Sequence, residues 1–235
     1  MSRVWLVLPG VLAVLPLLIY AASPEAYQRY VVSEQFREYQ AAEMITFGSA
    51  LLGGLALLSA AAVMLRKRFN AAAVVAAASG LASIFLAGEE VNWGQTFVNW
   101  GIAEREQRLA QVLNLHNTTE FISIQSLGSI FIIGLFLVLP VVFALRGATR
   151  LPVTLRPAVP PLSAVVSVLL GLAFSEAKDL YRTIYDPDTS DRLYMGLLEQ
   201  ANELKEMLIA VALLLYGLSA LGRARRRTAL PTKDD

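Results

Sequence analysis

The sequence lacks cysteine altogether and has a single histidine, His116, among its 235 residues. Without thiols the chain cannot form disulfides, thiolate metal sites or Fe–S clusters, and it has no Cys nucleophile. One imidazole is too few for a three-His zinc site or for bis-His haem ligation. The chain also carries no nucleotide-binding signature. These absences exclude most of the common cofactors.

Charge is scarce as well, since only 17% of the residues are Asp, Glu, Lys or Arg, whereas soluble domains have about 25%. The formal net charge is +1. A chain with so little excess charge has no broad positive field to attract nucleic acid. We therefore expect no nucleic-acid partner.

Apolar residues are abundant, at 56% of the chain, and they form runs long enough to cross a bilayer core about 30 Å thick. Backbone inside lipid has to satisfy its own hydrogen bonds, so each run is predicted to be helical. We predict an all-α polytopic membrane protein, a six-helix transmembrane bundle with amphipathic segments on its outer face, in which residues 1–235 form one integral membrane domain. The predicted spans are about 4–22, 44–65, 71–88, 121–145, 162–177 and 207–221, followed by a basic cytoplasmic tail at 222–235.

The distribution of Lys and Arg predicts the orientation. The segments 1–3, 66–70, 146–161 and 222–235 hold more than half of the 20 Lys and Arg residues and, of the 19 acids, only the two C-terminal aspartates. Basic loops stay on the cytoplasmic side, so both termini are predicted to be cytoplasmic. A competing interpretation treats residues 1–22 as a cleaved signal peptide, because a short run of small residues follows the apolar stretch.

Acidic residues recur near the opposite, outer ends of the predicted spans. At about 1.5 Å per residue, Glu206 lies about 25 Å from Arg223, and Glu176 about 22 Å from Pro161. Both would lie within the bilayer core, where an ionisable side chain normally faces a bundle interior or a watery cavity. We therefore predict an outward-facing polar cavity. Its predicted lining residues are Glu89, Glu90, His116, Glu120, Glu176, Glu203 and Glu206.

The candidate site residues His116 and Glu120 could instead have a purely structural role. His116 and Glu120 are spaced i,i+4, which brings them to one face of a helix. Residues 117–119, followed by Glu120, are also typical of an N-cap with a first-turn acid.

The aromatic residues among the charges of 24–43 are predicted to form an interfacial belt.

The motif Gly-Glu-Glu-Val-Asn-Trp-Gly-Gln at 88–95, with Asn-Leu-His-Asn at 114–117, resembles a signature of uncharacterised bacterial multi-span membrane proteins. Their pattern is roughly E-E-x-x-W-G-Q followed by N-x-H-N. The resemblance covers about residues 85–125 and implies a bacterial inner (plasma) membrane protein, without implying an activity. It draws attention to Glu89, Glu90, Trp93, Gln95, His116 and Asn117.

Three classes of function remain open. The favoured one is a non-catalytic binding or assembly subunit whose cavity receives a ligand, a membrane lipid headgroup or another membrane subunit. Its predicted ligand-binding residues are Glu89, Trp93, Gln95, Asn117, Glu120 and Glu203.

The second class is an intramembrane enzyme that acts on a lipid-like substrate at the outer leaflet. Its predicted catalytic residues are Glu90, His116, Glu176 and Glu206. A divalent metal could assist by activating a bound water. The candidate metal ligands are Glu90, His116, Glu120 and Glu206. The third class is a proton or cation transporter that uses a Glu/His relay.

Overall fold

The computed structural model describes residues 4–32, 41–90, 130–146, 154–187, 191, 193–198 and 200–226. These residues are helical almost throughout and include no strand. The α-helices are α1 (Val4–Ala22), α2 (Pro24–Tyr27), α3 (Ala41–Arg66), α4 (Asn70–Glu90), α5 (Leu139–Arg146), α6 (Leu162–Tyr185) and α7 (Ala201–Arg226). Short π or 3-10 turns occur at Gln28–Val32, Gly134–Val138, Arg156–Ala158 and Tyr194–Leu198. The all-α prediction is confirmed.

Four helices are long and apolar enough to cross a membrane, namely α1, α3, α4 and α7. The predicted number of six is wrong for the described part of the chain, which has seven α-helices of which only these four qualify. In α6 the uncharged stretch ends before Glu176, which leaves it shorter than the about 20 apolar residues that a span requires. Of the span predicted at 121–145, the described part is the shorter apolar helix Ile130–Val142, which contains the π-helical turn Gly134–Val138.

Helix α3 lies at the centre, packed against α4 on one side and α7 on another, while α6 packs against α7 and α1 against α6. Glycines allow these close crossings. A Cβ built on Gly217 would lie 2.6 Å from the Gly53 carbonyl oxygen, and a Cβ on Gly54 would lie 2.9 Å from the Gly80 carbonyl oxygen. Small residues at such positions allow the backbones of membrane helices to approach closely.

The turn between α3 and α4 reverses the chain within a few residues. Arg68 has a φ of 65°, the Phe69 N–H donates to the Met64 carbonyl at 2.9 Å, and the Arg68 N–H donates to the Leu65 carbonyl at 3.0 Å. This pair of hydrogen bonds is the Schellman motif that ends many helices. It makes α4 antiparallel to α3.

Two basic side chains form hydrogen bonds between segments at the end of the bundle where α3 and α7 have their C-termini. The Lys67 ammonium donates to the carbonyls of Ala224 at 2.8 Å and Arg225 at 3.0 Å. The Arg223 guanidinium donates to the carbonyls of Pro157 at 3.0 Å and Val159 at 2.6 Å. These cations satisfy terminal carbonyls that the helices leave open.

Buried serines join neighbouring helices. The Ser167 hydroxyl on α6 donates to the Leu208 carbonyl on α7, and the Ser83 hydroxyl on α4 donates to the Ala50 carbonyl on α3, each at 2.7 Å. Both serine side chains are buried. These bonds fix the register of α6 on α7 and of α4 on α3.

Substitution of Ser167 by alanine should destabilise the protein by about 1 kcal/mol, because the buried interhelical hydrogen bond is lost. We expect the melting temperature in detergent to fall by about 2–4 °C. The exposed Ser59, which bonds only to the Leu55 carbonyl of its own helix, provides the control. An equal effect of Ser59→Ala would contradict the assignment of the loss to the contact between α6 and α7.

Candidate functional site at the glutamate end

Three helices bring glutamates to the same end of the bundle. Glu43 lies in the first turn of α3, Glu90 is the last residue of α4, and Glu203 and Glu206 lie near the start of α7. Since α3 and α7 begin where the antiparallel α4 ends, these residues lie at one level. We call this end, defined by Glu43, Glu90, Glu203 and Glu206, the glutamate end.

The electrostatics of Glu90 are unusual for a carboxyl group. Burial, which is the largest cause, and the negative charges of Glu206, Glu203 and Glu43 together raise its pKa from 4.5 to about 9. A hydrogen bond to Glu206 acts in the same direction, since the protonated Glu90 carboxyl donates to the Glu206 carboxylate. Desolvation and like charges both disfavour the ionised form of an acid. Glu90 therefore holds its proton at neutral pH.

A buried tyrosine lies beside these acids. Tyr27, at the end of α2, is 0% exposed, and its ring packs edge-on against that of Tyr20 with 5.5 Å between centroids. Its hydroxyl has no hydrogen-bond partner within the described part of the chain. Burial raises the pKa of Tyr27, and the charges of Tyr20 and Glu203 add to this effect. The hydroxyl is thus buried without a hydrogen bond from the described residues, which is costly for a polar group.

An apolar layer separates the glutamate end from the rest of the bundle. Ala50 of α3, Ala87 of α4 and Ala210 of α7 are buried against one another. Ala87 and Ala210 lie about one helical turn inward from Glu90 and Glu206. The glutamate end is therefore bordered on its inner side by apolar side chains. Chemically, it offers one proton held between carboxyl groups, which a cation could replace.

The structure brings together Glu90, Glu203 and Glu206 among the residues predicted from the sequence. Glu176 behaves differently: it is exposed on α6, and its charge is not among those that act on Glu90. We therefore leave Glu176 out of the site.

Several predicted residues lie outside the described part of the chain. They are Trp93, Gln95, His116, Asn117 and Glu120, and with them the side chain of Glu89. Of the four candidate metal ligands, Glu90 and Glu206 are adjacent. Among the described residues, no group of three or more His, Asp or Glu side chains could hold a metal ion.

Sequence reasoning missed Glu43 and Tyr27. Glu43 could have been found by its depth, since it lies in the first turn of α3, at the same level as Glu206 in α7. Tyr27 was assigned to an interfacial aromatic belt, a description that fits its neighbour Tyr30, which is exposed with the Arg29 guanidinium 5.5 Å from its ring centroid. The sequence gives no signal that distinguishes the two tyrosines, because only the packing buries one of them.

No protein-family model, curated protein or solved structure matches the chain. The resemblance of residues 88–117 to a bacterial membrane-protein signature therefore stays a prediction, and the function has to be argued from the glutamate end itself.

Proposed function

We propose that the protein is an integral membrane protein whose glutamate end binds a positively charged group, in a non-catalytic binding or assembly role. On this proposal Glu43, Glu90, Glu203 and Glu206 form one site. We further propose that it resides in a bacterial inner membrane, with both termini in the cytoplasm and the glutamate end facing out.

One observation supports this function above the others: the half-buried carboxyl of Glu90 hydrogen-bonds to Glu206 and feels the charges of Glu203 and Glu43, so that four carboxyl groups from α3, α4 and α7 act on one another. Keeping such groups together is unfavourable unless a proton or another cation neutralises them. The proton that Glu90 holds contributes to this neutralisation. A ligand cation that hydrogen-bonds to several carboxylates at once would serve it better.

The proposal is tested with a small cation and thermal unfolding of the full-length protein in detergent at pH 7.5. Ethylammonium chloride at about ten times its dissociation constant should raise the melting temperature by about 3 °C relative to equal sodium chloride. Glu206→Gln should remove this shift. Glu25→Gln, which changes an exposed acid on α2, should keep it.

Two outcomes would contradict a cation site at the glutamate end. One is the absence of any shift with ethylammonium. The other is a shift of the same size in Glu206→Gln as in the wild type.

The protonation of Glu90 also favours a second function, catalysis. A carboxyl that is protonated at neutral pH beside a carboxylate is a general acid–base pair, so the site could act on a lipid-like substrate. This alternative requires turnover. If Glu90→Gln abolished the hydrolysis of a phospholipid or amide-linked lipid that the purified wild type cleaves, the binding role would be replaced by catalysis.

A further inference from the structure

The end of the bundle opposite the glutamates carries charge of one sign. Its described segments are 66–70, 154–161 and 217–226, which contain Lys and Arg residues but no Asp or Glu. We call these segments the basic end. A surface with charge of one sign attracts partners of the opposite sign, and clustered Lys and Arg beside a membrane helix attract anionic lipids. The charge of the basic end therefore fits an anionic partner.

Hydrogen bonds of Lys67 bring two of the exposed arginines to neighbouring helix ends. The Lys67 ammonium of the turn after α3 donates to the Ala224 and Arg225 carbonyls of α7 at 2.8 and 3.0 Å. Arg66 directly precedes Lys67, so it lies beside the C-terminal end of α7. The ammonium also offsets the negative end of the α7 dipole, which would otherwise repel an anion.

The guanidinium groups of Arg66 and Arg225 are available to such an anion. Both residues are exposed, and neither guanidinium has a hydrogen bond or an ion pair with another described residue. A guanidinium presents its N–H donors in a planar fork that matches the oxygens of a phosphate group. Charge-assisted bonds of this kind are roughly twice as strong as neutral hydrogen bonds. Phosphate is therefore the anion that these two residues fit best.

Each of the two arginines ends a stripe of outward-facing apolar residues. On α3, the exposed Leu52 and Leu55 lie on the same helical face as Arg66, and on α7 the exposed Leu218 lies on the same face as Arg225. These residues are separated by 3, 7, 11 or 14 positions, spacings that place side chains on one face of a helix. An apolar surface that leads to a cation has the polarity of a lipid reversed in charge.

The two stripes face the same side of the helix pair. Helices α3 and α7 are parallel and cross where Gly53 meets Gly217. At about 100° per residue from that crossing, both stripes turn to one side. Leu52 is 58% exposed and Leu218 is 42% exposed, so the described helices leave this side open.

The lengths of the stripes match one leaflet of a bilayer. At about 1.5 Å per residue, the stripe from Leu52 to Arg66 is about 21 Å long, and the stripe from Leu214 to Arg225 is about 16 Å long. Half of a bilayer core about 30 Å thick is about 15 Å. An acyl chain of one leaflet can therefore extend along each stripe while its headgroup lies at the arginines.

From this arrangement we infer that α3 and α7 bind one anionic phospholipid at the basic end. The guanidinium groups of Arg66 and Arg225 donate to its phosphate oxygens, and its acyl chains lie along the two stripes. The lipid thus bridges the pair of helices at the centre of the bundle. Because the glutamate end lies at the opposite end, this inference is independent of the proposed function.

The test is native mass spectrometry of the full-length protein with phosphatidylglycerol and phosphatidylcholine of identical acyl chains. The wild type should bind phosphatidylglycerol at least about tenfold more tightly, since each arginine near a membrane surface favours an anionic lipid by about fivefold. The double variant Arg66→Gln/Arg225→Gln should reduce this preference to less than about twofold. Arg66→Lys/Arg225→Lys, which keeps the charges but not the planar forks, should have an intermediate preference.

A matched control removes the same charge from the same end. Arg68 and Arg226 are also exposed, but they lie off the two stripes. Arg68→Gln/Arg226→Gln should therefore keep most of the preference for phosphatidylglycerol. Because all four arginines are exposed, both Gln double variants should keep the wild-type melting temperature, which is measured on the same samples.

Three outcomes would overturn the inference. Equal binding of the two lipids by the wild type would show that the basic end does not select an anion. An equal loss of preference in the two Gln double variants would show that the whole basic end attracts lipid diffusely, without a site at the stripes. Displacement of phosphatidylglycerol by excess inorganic phosphate, which has no acyl chains, would show a site for free phosphate instead.

Discussion

Replacement of Gly217 by valine is expected to prevent the bundle from folding, with a loss of stability of more than about 3 kcal/mol. The reason is the crossing of α3 and α7, where a Cβ on Gly217 would lie 2.6 Å from the Gly53 carbonyl oxygen and 3.1 Å from the Ala56 Cβ. The oxygen belongs to the helix backbone, so it cannot rotate away as a side chain could. Size-exclusion chromatography in detergent should show aggregated rather than monodisperse protein.

A control for this prediction lies in the same pair of helices. Gly48 of α3 has nothing within 4 Å of the position that a Cβ would occupy. Gly48→Ala should therefore stabilise the helix by about 0.5–1 kcal/mol, since alanine loses less backbone entropy than glycine. Gly217→Ala should show an intermediate loss of stability. Normal folding of Gly217→Val would show that the two helices are farther apart than described.

Substitution of Glu90 by glutamine should raise the melting temperature at pH 9 by about 5 °C or more, and change it little at pH 5. The pKa of Glu90 is raised by folding from 4.5 to about 9. The stability contributed by the bound proton is therefore complete below pH 4.5 and is lost as the pH rises to about 9. Glutamine keeps a donor toward Glu206 and carries no charge at any pH, so its curve should be flatter over this window.

The measurement is a series of unfolding curves from pH 5 to 10 in an amine-free buffer, because an amine could occupy the site. Glu25→Gln should follow the wild-type curve. Parallel curves for the wild type and Glu90→Gln would mean that Glu90 is ionised at neutral pH.

Much of the helical framework could be predicted from the sequence, because apolar run length and terminal charges are local properties. The predicted spans at 4–22, 44–65 and 71–88 coincide closely with α1, α3 and α4. The prediction at 207–221 found α7 but not its early start at Ala201. The span predicted at 162–177 was wrong because the uncharged stretch of α6 is too short to cross a membrane. The helix itself continues past Glu176 and Asp179.

The site was less predictable, because a side chain's depth does not fix the direction in which it points. Glu176 and Glu206 are at similar distances from the basic end, yet Glu176 is exposed while Glu206 hydrogen-bonds to Glu90. Only the rotation of each helix, set by contacts such as that of Ser167 with Leu208, decides between these outcomes. The same holds for Tyr27, which tertiary packing buries.

The protonation state of Glu90 at neutral pH is the central claim, and infrared spectroscopy measures it directly. The C=O stretch of a protonated carboxyl group should be present in the wild type at pH 7.5, disappear with a midpoint near pH 9, and be absent from Glu90→Gln. A wild-type spectrum at pH 7.5 identical to that of Glu90→Gln would contradict the account, because the carboxyl groups at the glutamate end would then share no proton.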